Sequence, residues 1–152
     1  MNAGDPFDLA RFVEAQAATY DDALAELVDG RKRSHWMWYV FPQFAGLGMS
    51  GMAQRFAIAS VDEARAYLAH PLLGPRLVAC AEAMLAHAGT PARSIMGSPD
   101  DLKLRSSATL FALVSPSGSE FHRLLDAFYA GEADPLTVRL VGPIVAAGLR
   151  KG

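Results

Sequence analysis

Apolar residues recur along this chain mostly at three- and four-residue intervals, and that spacing predicts a succession of helices. Leu9, Phe12, Val13, Tyr20, Leu24 and Leu27 mark the first, an amphipathic helix with Asp21, Asp22 and Glu26 between the apolar positions. Asp8 is placed to cap its start, and Gly30 is suited to the left-handed residue that ends it. Gln16 falls on the apolar stripe one turn from Phe12 and Tyr20, where a buried amide needs a hydrogen-bond partner or costs about 1–3 kcal/mol. Ser34 can cap a short helix that runs to Phe41 and stops at Pro42, although Trp36, Trp38 and Val40 also alternate as a strand would. Gly46, Gly48, Ser50 and Gly51 predict a flexible loop.

Clearer helix signals follow. Ser60 and Glu63 form a capping box that opens a helix to about Ala69, broken by His70-Pro71. A further helix starts near Pro71 or Pro75, buries Leu77, Val78, Ala81, Met84 and Leu85, and ends at Gly89. Pro91 to Met96 reads as one helical turn. Ser98-Pro99-Asp100-Asp101 then supplies a cap, a proline and two acids for a helix reaching about Val114. Phe121, Leu124, Leu125 and Phe128 define the next, ending at Gly131. Asp134-Pro135 opens a last helix to about Val141, where Gly142-Pro143 interrupts it and leaves an apolar tail over 142–152. The expected fold is all-α, a compact single-domain bundle of about seven or eight helices of mixed length, with its core over about 8–141 of residues 1–152.

Composition agrees with a globular domain. The 152 residues are 51% hydrophobic and 20% charged, too apolar for a disordered polyelectrolyte and too often interrupted by charge for a membrane span. The net charge of −2 argues against generic nucleic-acid binding, so any anion site must be local. One cysteine, Cys80, allows no internal disulfide and suits a reducing compartment; with no signal-like or lipidation pattern at the N-terminus, the expected location is cytoplasmic. No membrane partner is expected.

The charges are unevenly placed. No acid occurs between Asp29 and Asp62, a stretch that holds Arg31, Lys32, Arg33 and Arg55, and none between Asp101 and Glu120, which holds Lys103 and Arg105. If the two stretches pack together they make a local positive field that attracts phosphate or carboxylate. The alternative for Arg31 to Arg33 is a solvated helix end. Lys103 and Arg105 lie in an otherwise uncharged helical run and need a partner or an opening. Beside the first group stand both tryptophans, Trp36 and Trp38. Large rings bury about 150–250 Å² each and belong mostly in cores, but a ring next to cations can also stack a flat ligand such as a base.

His35, beside charge and aromatics, is the acid–base candidate. The histidines at 35, 70, 87 and 122 form no i, i+3 or i, i+4 pair and there is no second cysteine, so neither a metal site nor a cofactor is expected. Gly46-Leu47-Gly48-Met49-Ser50-Gly51 matches no dinucleotide or P-loop fingerprint. Gly-x-Ser-x-Gly does not occur.

Lys32 with Ser34-His35-Trp36-Met37-Trp38, Phe41-Pro42-Gln43, Gly46-Leu47-Gly48, Tyr67-Leu68, His70-Pro71, Leu73-Gly74, Lys103-Leu104, Ser106-Ser107 and Thr109-Leu110-Phe111 resembles an uncharacterised bacterial family of unknown function, often mislabelled "calpastatin". The resemblance covers about residues 8–141 and departs mildly at Tyr39-Val40 and Met96. It implies a compact all-α domain and no established activity. Calpastatin-type inhibition uses long disordered segments, whereas this chain has a full apolar core.

Three functions are therefore open. The first is a site for a small phosphate-bearing or otherwise anionic ligand built from Lys32, Trp36, Trp38, Gln43, Lys103 and Arg105, with His35 at its edge. The second is an enzyme in which His35 acts as acid or base on such a ligand. The third is an interaction module with an exposed Trp/Met patch. Oligomeric state is not encoded in these patterns.

Overall fold

The computed structural model describes residues 4–151, with side chains as far as Val145. Among them run ten helices: α1 (Ala10–Ala17), α2 (Tyr20–Asp29), α3 (Met37–Val40), α4 (Gly51–Arg55), α5 (Val61–Ala69), α6 (Leu73–Leu85), α7 (Ala92–Met96), α8 (Asp100–Leu113), α9 (Glu120–Tyr129) and α10 (Pro135–Lys151). The fold is all-α; among the described residues the extended pairing is a single parallel bridge between Phe44 and Ile58.

Two additions raise the helix number above seven or eight. The expected first helix is two, parted at Ala18-Thr19, where the Thr19 hydroxyl donates to the Ala15 carbonyl and turns the chain. The expected glycine loop contains α4, because Ser50 caps it by accepting from the Ala53 N–H at 3.1 Å. Caps also moved. Asp8 has φ +53° and does not cap α1; the Asp5 carboxylate takes the Leu9 and Ala10 N–H groups instead, at 2.7 and 2.9 Å. The Ser60 cap and the left-handed Gly30 (φ +76°) are as the sequence indicates, although the Glu63 carboxylate closes the box on the Ala59 N–H and not on that of Ser60. Pro143 does not end α10. Val141 before it and Val145 after it are both buried, and this packing holds the helix together despite the hydrogen bond that proline removes.

α8 is the centre of the molecule, packed by α5, α7, α9 and α10. From Leu104 to Ala112 every residue except Arg105 is buried, so this helix has core on nearly all sides. Its small hydroxyls permit that approach, and two of them bond locally, Ser106 donating to Leu102 O and Thr109 to Arg105 O, while the buried Ser107 hydroxyl has no hydrogen-bond partner among the described residues. An aromatic chain runs past it from Phe56 through Phe12, Tyr67 and Phe111 to Phe121, with centroids 5.1–5.7 Å apart. Gln16 finds the partners its position requires. Its amide donates to Tyr39 O at 2.7 Å and Tyr67 Oη at 3.2 Å, and accepts from Arg76 at 3.4 Å. Burial pushes the Tyr67 phenol well above its ordinary range and the Cys80 thiol up to about 12, so neither is an ionised nucleophile near neutrality.

Candidate functional site

The segment from Arg31 to Phe44 is organised by an acid that the amphipathic pattern assigns to the polar face. Glu26 lies on α2 with Ala23 and Leu27 as buried neighbours, and its carboxylate is itself buried. Oε1 accepts from the Arg33 and Ser34 N–H groups at 2.7 and 2.9 Å and from the Trp36 indole at 3.0 Å; Oε2 accepts from the Ser34 hydroxyl at 2.5 Å. Burial pushes this carboxyl up, but the Ser34, Arg33 and Trp36 donors outweigh it and bring it down to about 2 from an ordinary 4.5. Ser34 therefore serves Glu26 and does not cap α3, whose N-cap is Trp36.

This anchorage settles Trp36. Its ring is 1% exposed and has no face for a ligand, contrary to the stacking role considered above. Met37 is buried as well, so no Trp/Met patch is exposed at this point; among the described residues the exposed methionines are Met49 and Met52, beside and in α4. Lys32 reaches over the Trp36 ring with Nζ 5.0 Å from its centroid, donates to Ser34 O at 2.5 Å and pairs with Asp100 Oδ2 at 3.0 Å. That ammonium is occupied. Arg33 pairs with Asp29. Arg105 lies on the far side of α8, where its guanidinium donates to Glu132 O at 2.9 Å and Ala133 O at 3.0 Å, tying α8 to the turn before α10. It is a brace, not a ligand-facing cation. His35 is exposed and lines neither of the cavities described next.

The remaining three expected residues do meet. Gln43, after α3, and Lys103, on the first turns of α8, line one open cleft of about 270 Å³ together with Gly48, Ser106 and Asp134 and the apolar walls Leu47, Pro99, Leu102 and Leu136. Trp38 and Lys103 share a narrow slot with Gln43 and Gly48, which adjoins the cleft. Lys103 Nζ stands 5.9 Å from the Trp38 centroid and 3.7 Å from Asp100 Oδ1. Among the described residues the Gln43 side-chain amide and the Trp38 indole N–H have no hydrogen-bond partner, whereas the Asp134 carboxylate caps α10 through Thr137 N and Oγ1 at 3.0 and 2.6 Å.

The two acid-free stretches thus pack together, but without a broad positive field. Asp100 precedes the second gap in sequence and faces Lys32 and Lys103 in space; Asp29 and Glu132 answer Arg33 and Arg105 in the same way. Asp100 was legible as an i−3 neighbour of Lys103, and Glu26 as an acid beside Ala23 and Leu27. The roles of Leu47, Leu102 and Leu136 had no local signal.

A larger concavity, about 480 Å³, opens between the start of α1 and His70. Two of its polar groups are committed to backbone, Asp5 as above and His70 Nδ1 accepting from Leu72 and Leu73 N–H, while Glu14 at its edge is exposed. Among the described residues no three His, Cys, Asp or Glu side chains gather as a metal site, and no helix is long and apolar enough to cross a membrane.

An all-α domain with this arrangement falls within a known group of chains: residues 6–141 match the model of the family described as "Protein of unknown function (DUF1810)", and the chain belongs to that family. A crystal structure of the conserved hypothetical protein Rv1873 from Mycobacterium tuberculosis is similar, with 51% sequence identity, a TM-score of 0.88, and coverage of 91% of this chain and 99% of that one. No curated protein matches.

Proposed function

We propose that the cleft between Gln43 and Lys103 binds a small molecule carrying one anionic group. The observation that supports this reading is the convergence of an accessible ammonium, an uncommitted amide and a half-buried indole from separate segments in one concavity. Lys103 is the one cation among the cleft-lining residues, and its side chain is 29% exposed, so a single carboxylate or phosphate ester matches it better than a polyphosphate. Gln43 can donate to the same anion or accept from a neighbouring hydroxyl. Leu47, Leu102 and Leu136 favour an apolar body behind the anionic head, as in small-molecule sites generally. An enzymatic role for His35 on this ligand gains no support, because its ring is outside the cleft.

Thermal-shift titration with inorganic phosphate, acetate, nucleoside monophosphates and sugar phosphates tests the reading. At least one should raise the melting temperature, and Lys103→Ala should weaken that ligand ten-fold or more while melting normally without it. A panel in which nothing shifts the melting temperature, or in which Lys103→Ala responds as the parent does, would overturn the proposal.

A further inference from the structure

Behind the open cleft lies the slot of only about 10 Å³ bounded by Met37, Trp38, Phe41, Phe44, Phe56 and Ala53. Gln43, Gly48 and Lys103 line both cavities, so the cleft and the slot adjoin. Four of those six walls are aromatic, and π faces favour offset or edge contact with a further ring. As it stands the slot admits about one water-sized probe, too little for any ring.

The roof over it is built to move as a piece. The segment from Gly46 to Gln54 includes most of α4, which buries no side chain of its own. Among the described residues the tip's hydrogen bonds stay within 46–57: Ala53 N to Ser50 Oγ, Gln54 N to Ser50 O, Gln54 Nε2 to Met49 O, and Phe56 N to Met52 O. Gly48 and Ala53 approach so closely that a Cβ on Gly48 would stand 2.5 Å from that of Ala53, which ties the two arms of the tip to each other. The base, by contrast, is pinned to the body. Ala45 N and Ile58 O, Ile58 N and Gln43 O, and the Arg11 guanidinium on Arg55 O and Ala57 O hold it at 2.9 Å each. A self-contained tip on a fixed base can tilt outward without breaking a hydrogen bond to the rest of the molecule.

From this geometry we infer that the site takes a ring-bearing ligand with one anionic group, that group on Lys103 at the cleft and its aromatic ring in the slot against Trp38, beneath the tilted 46–54 flap. The inference rests on the anion-binding reading of the cleft. It adds the ligand's second half and the moving part. Lys103 Nζ, 5.9 Å from the Trp38 centroid, is close enough that one group attached directly to a stacked ring reaches it.

The test uses two probe pairs, phenyl phosphate against inorganic phosphate and benzoate against acetate, titrated into the full chain and into Ala53→Leu and Lys103→Ala. The expected result is a preference of ten-fold or more for the ring-bearing member in at least one pair. Ala53→Leu, which fills the slot, should abolish that preference and leave the ringless anion unchanged, and Lys103→Ala should weaken both members. Equal affinities within both pairs, still dependent on Lys103, would overturn the ring inference and leave the anion site standing. If none of the four probes binds, the ring inference falls, and the anion reading is decided separately by the nucleoside monophosphates and sugar phosphates. Intermolecular NOEs from the probe's ring protons to the Met37 methyl group in the parent chain check the slot even if Ala53→Leu does not fold; a bound ring without them overturns the proposal.

Discussion

Lys32 over Trp36 and Lys103 over Trp38 are chemically the same pair, and both turn toward the carboxylate of Asp100. The first has a centroid distance of 5.0 Å, an ion pair of 3.0 Å and a lysine side chain 8% exposed; the second has 5.9 Å, 3.7 Å and 29%. Trp36 is the N-cap of α3 and Trp38 lies within it, and the first ring is buried while the second is only partly so. Glu26 captures the indole of Trp36 and draws that side into the core, leaving Trp38 at the edge with the second lysine. One lysine–tryptophan pair is thereby structural and the other accessible, with Asp100 bound firmly to the first and loosely to the second.

The comparison breaks most severely at Glu26. Glu26→Ala leaves the buried Trp36 indole and the partly buried donors of Arg33 and Ser34 without their acceptor and should cost about 3–5 kcal/mol, read as a lower urea midpoint at neutral pH. The same group makes stability depend on acid. Its folded pKa of about 2 is below the ordinary 4.5, so its contribution is complete above 4.5 and is lost as pH falls from there toward 2. Glu26→Gln should flatten that part of the urea-midpoint profile; an unchanged acid slope would assign it to other carboxylates.

A smaller effect separates the lysines. Lys32→Met removes a nearly buried cation from Asp100 and Ser34 and should destabilise by about 1–3 kcal/mol, while Lys103→Met, at a partly solvated pair, should stay within about 0.5 kcal/mol of the parent. Equal losses would mean the two pairs are not distinguished as the geometry indicates. The smallest effect is spectroscopic. In Trp36→Phe the remaining Trp38 fluorescence should be quenched by iodide more readily than that of Trp36 in Trp38→Phe, since the latter ring is shielded on all sides.

Much of this was readable in the letters. The Ser60 cap, the glycine end of α2, the start of α8 near Pro99 and the need of Gln16 for a partner all follow from local chemistry, which operates over one or two turns. Local signals also misled. Asp8 has the right side chain to cap α1, yet Asp5 does so because the backbone at Asp8 is left-handed. Gly142-Pro143 is a breaker by composition, and the burial of Val141 and Val145 overrides it. Trp38 and Lys103 became candidates from their types and neighbours, and Gln43 from the family resemblance. That Lys32, Trp36 and Arg105 are committed elsewhere was not legible, since their partners Asp100, Glu26 and the 132–133 carbonyls lie 10 to 68 positions away in sequence.

By itself the sequence determined an all-α domain, because helical periodicity and capping are properties of neighbouring residues, and it determined which side chains could hold an anion, because charge and ring chemistry belong to the residue. Only the tertiary structure decided which of those side chains is free to do so. Coulomb attraction and burial depend on distance in space, and the fold returns Asp100 to Lys32 and Glu26 to Trp36 across gaps that look acid-free along the chain. What is left accessible is Lys103, with Gln43 beside it and Trp38 behind.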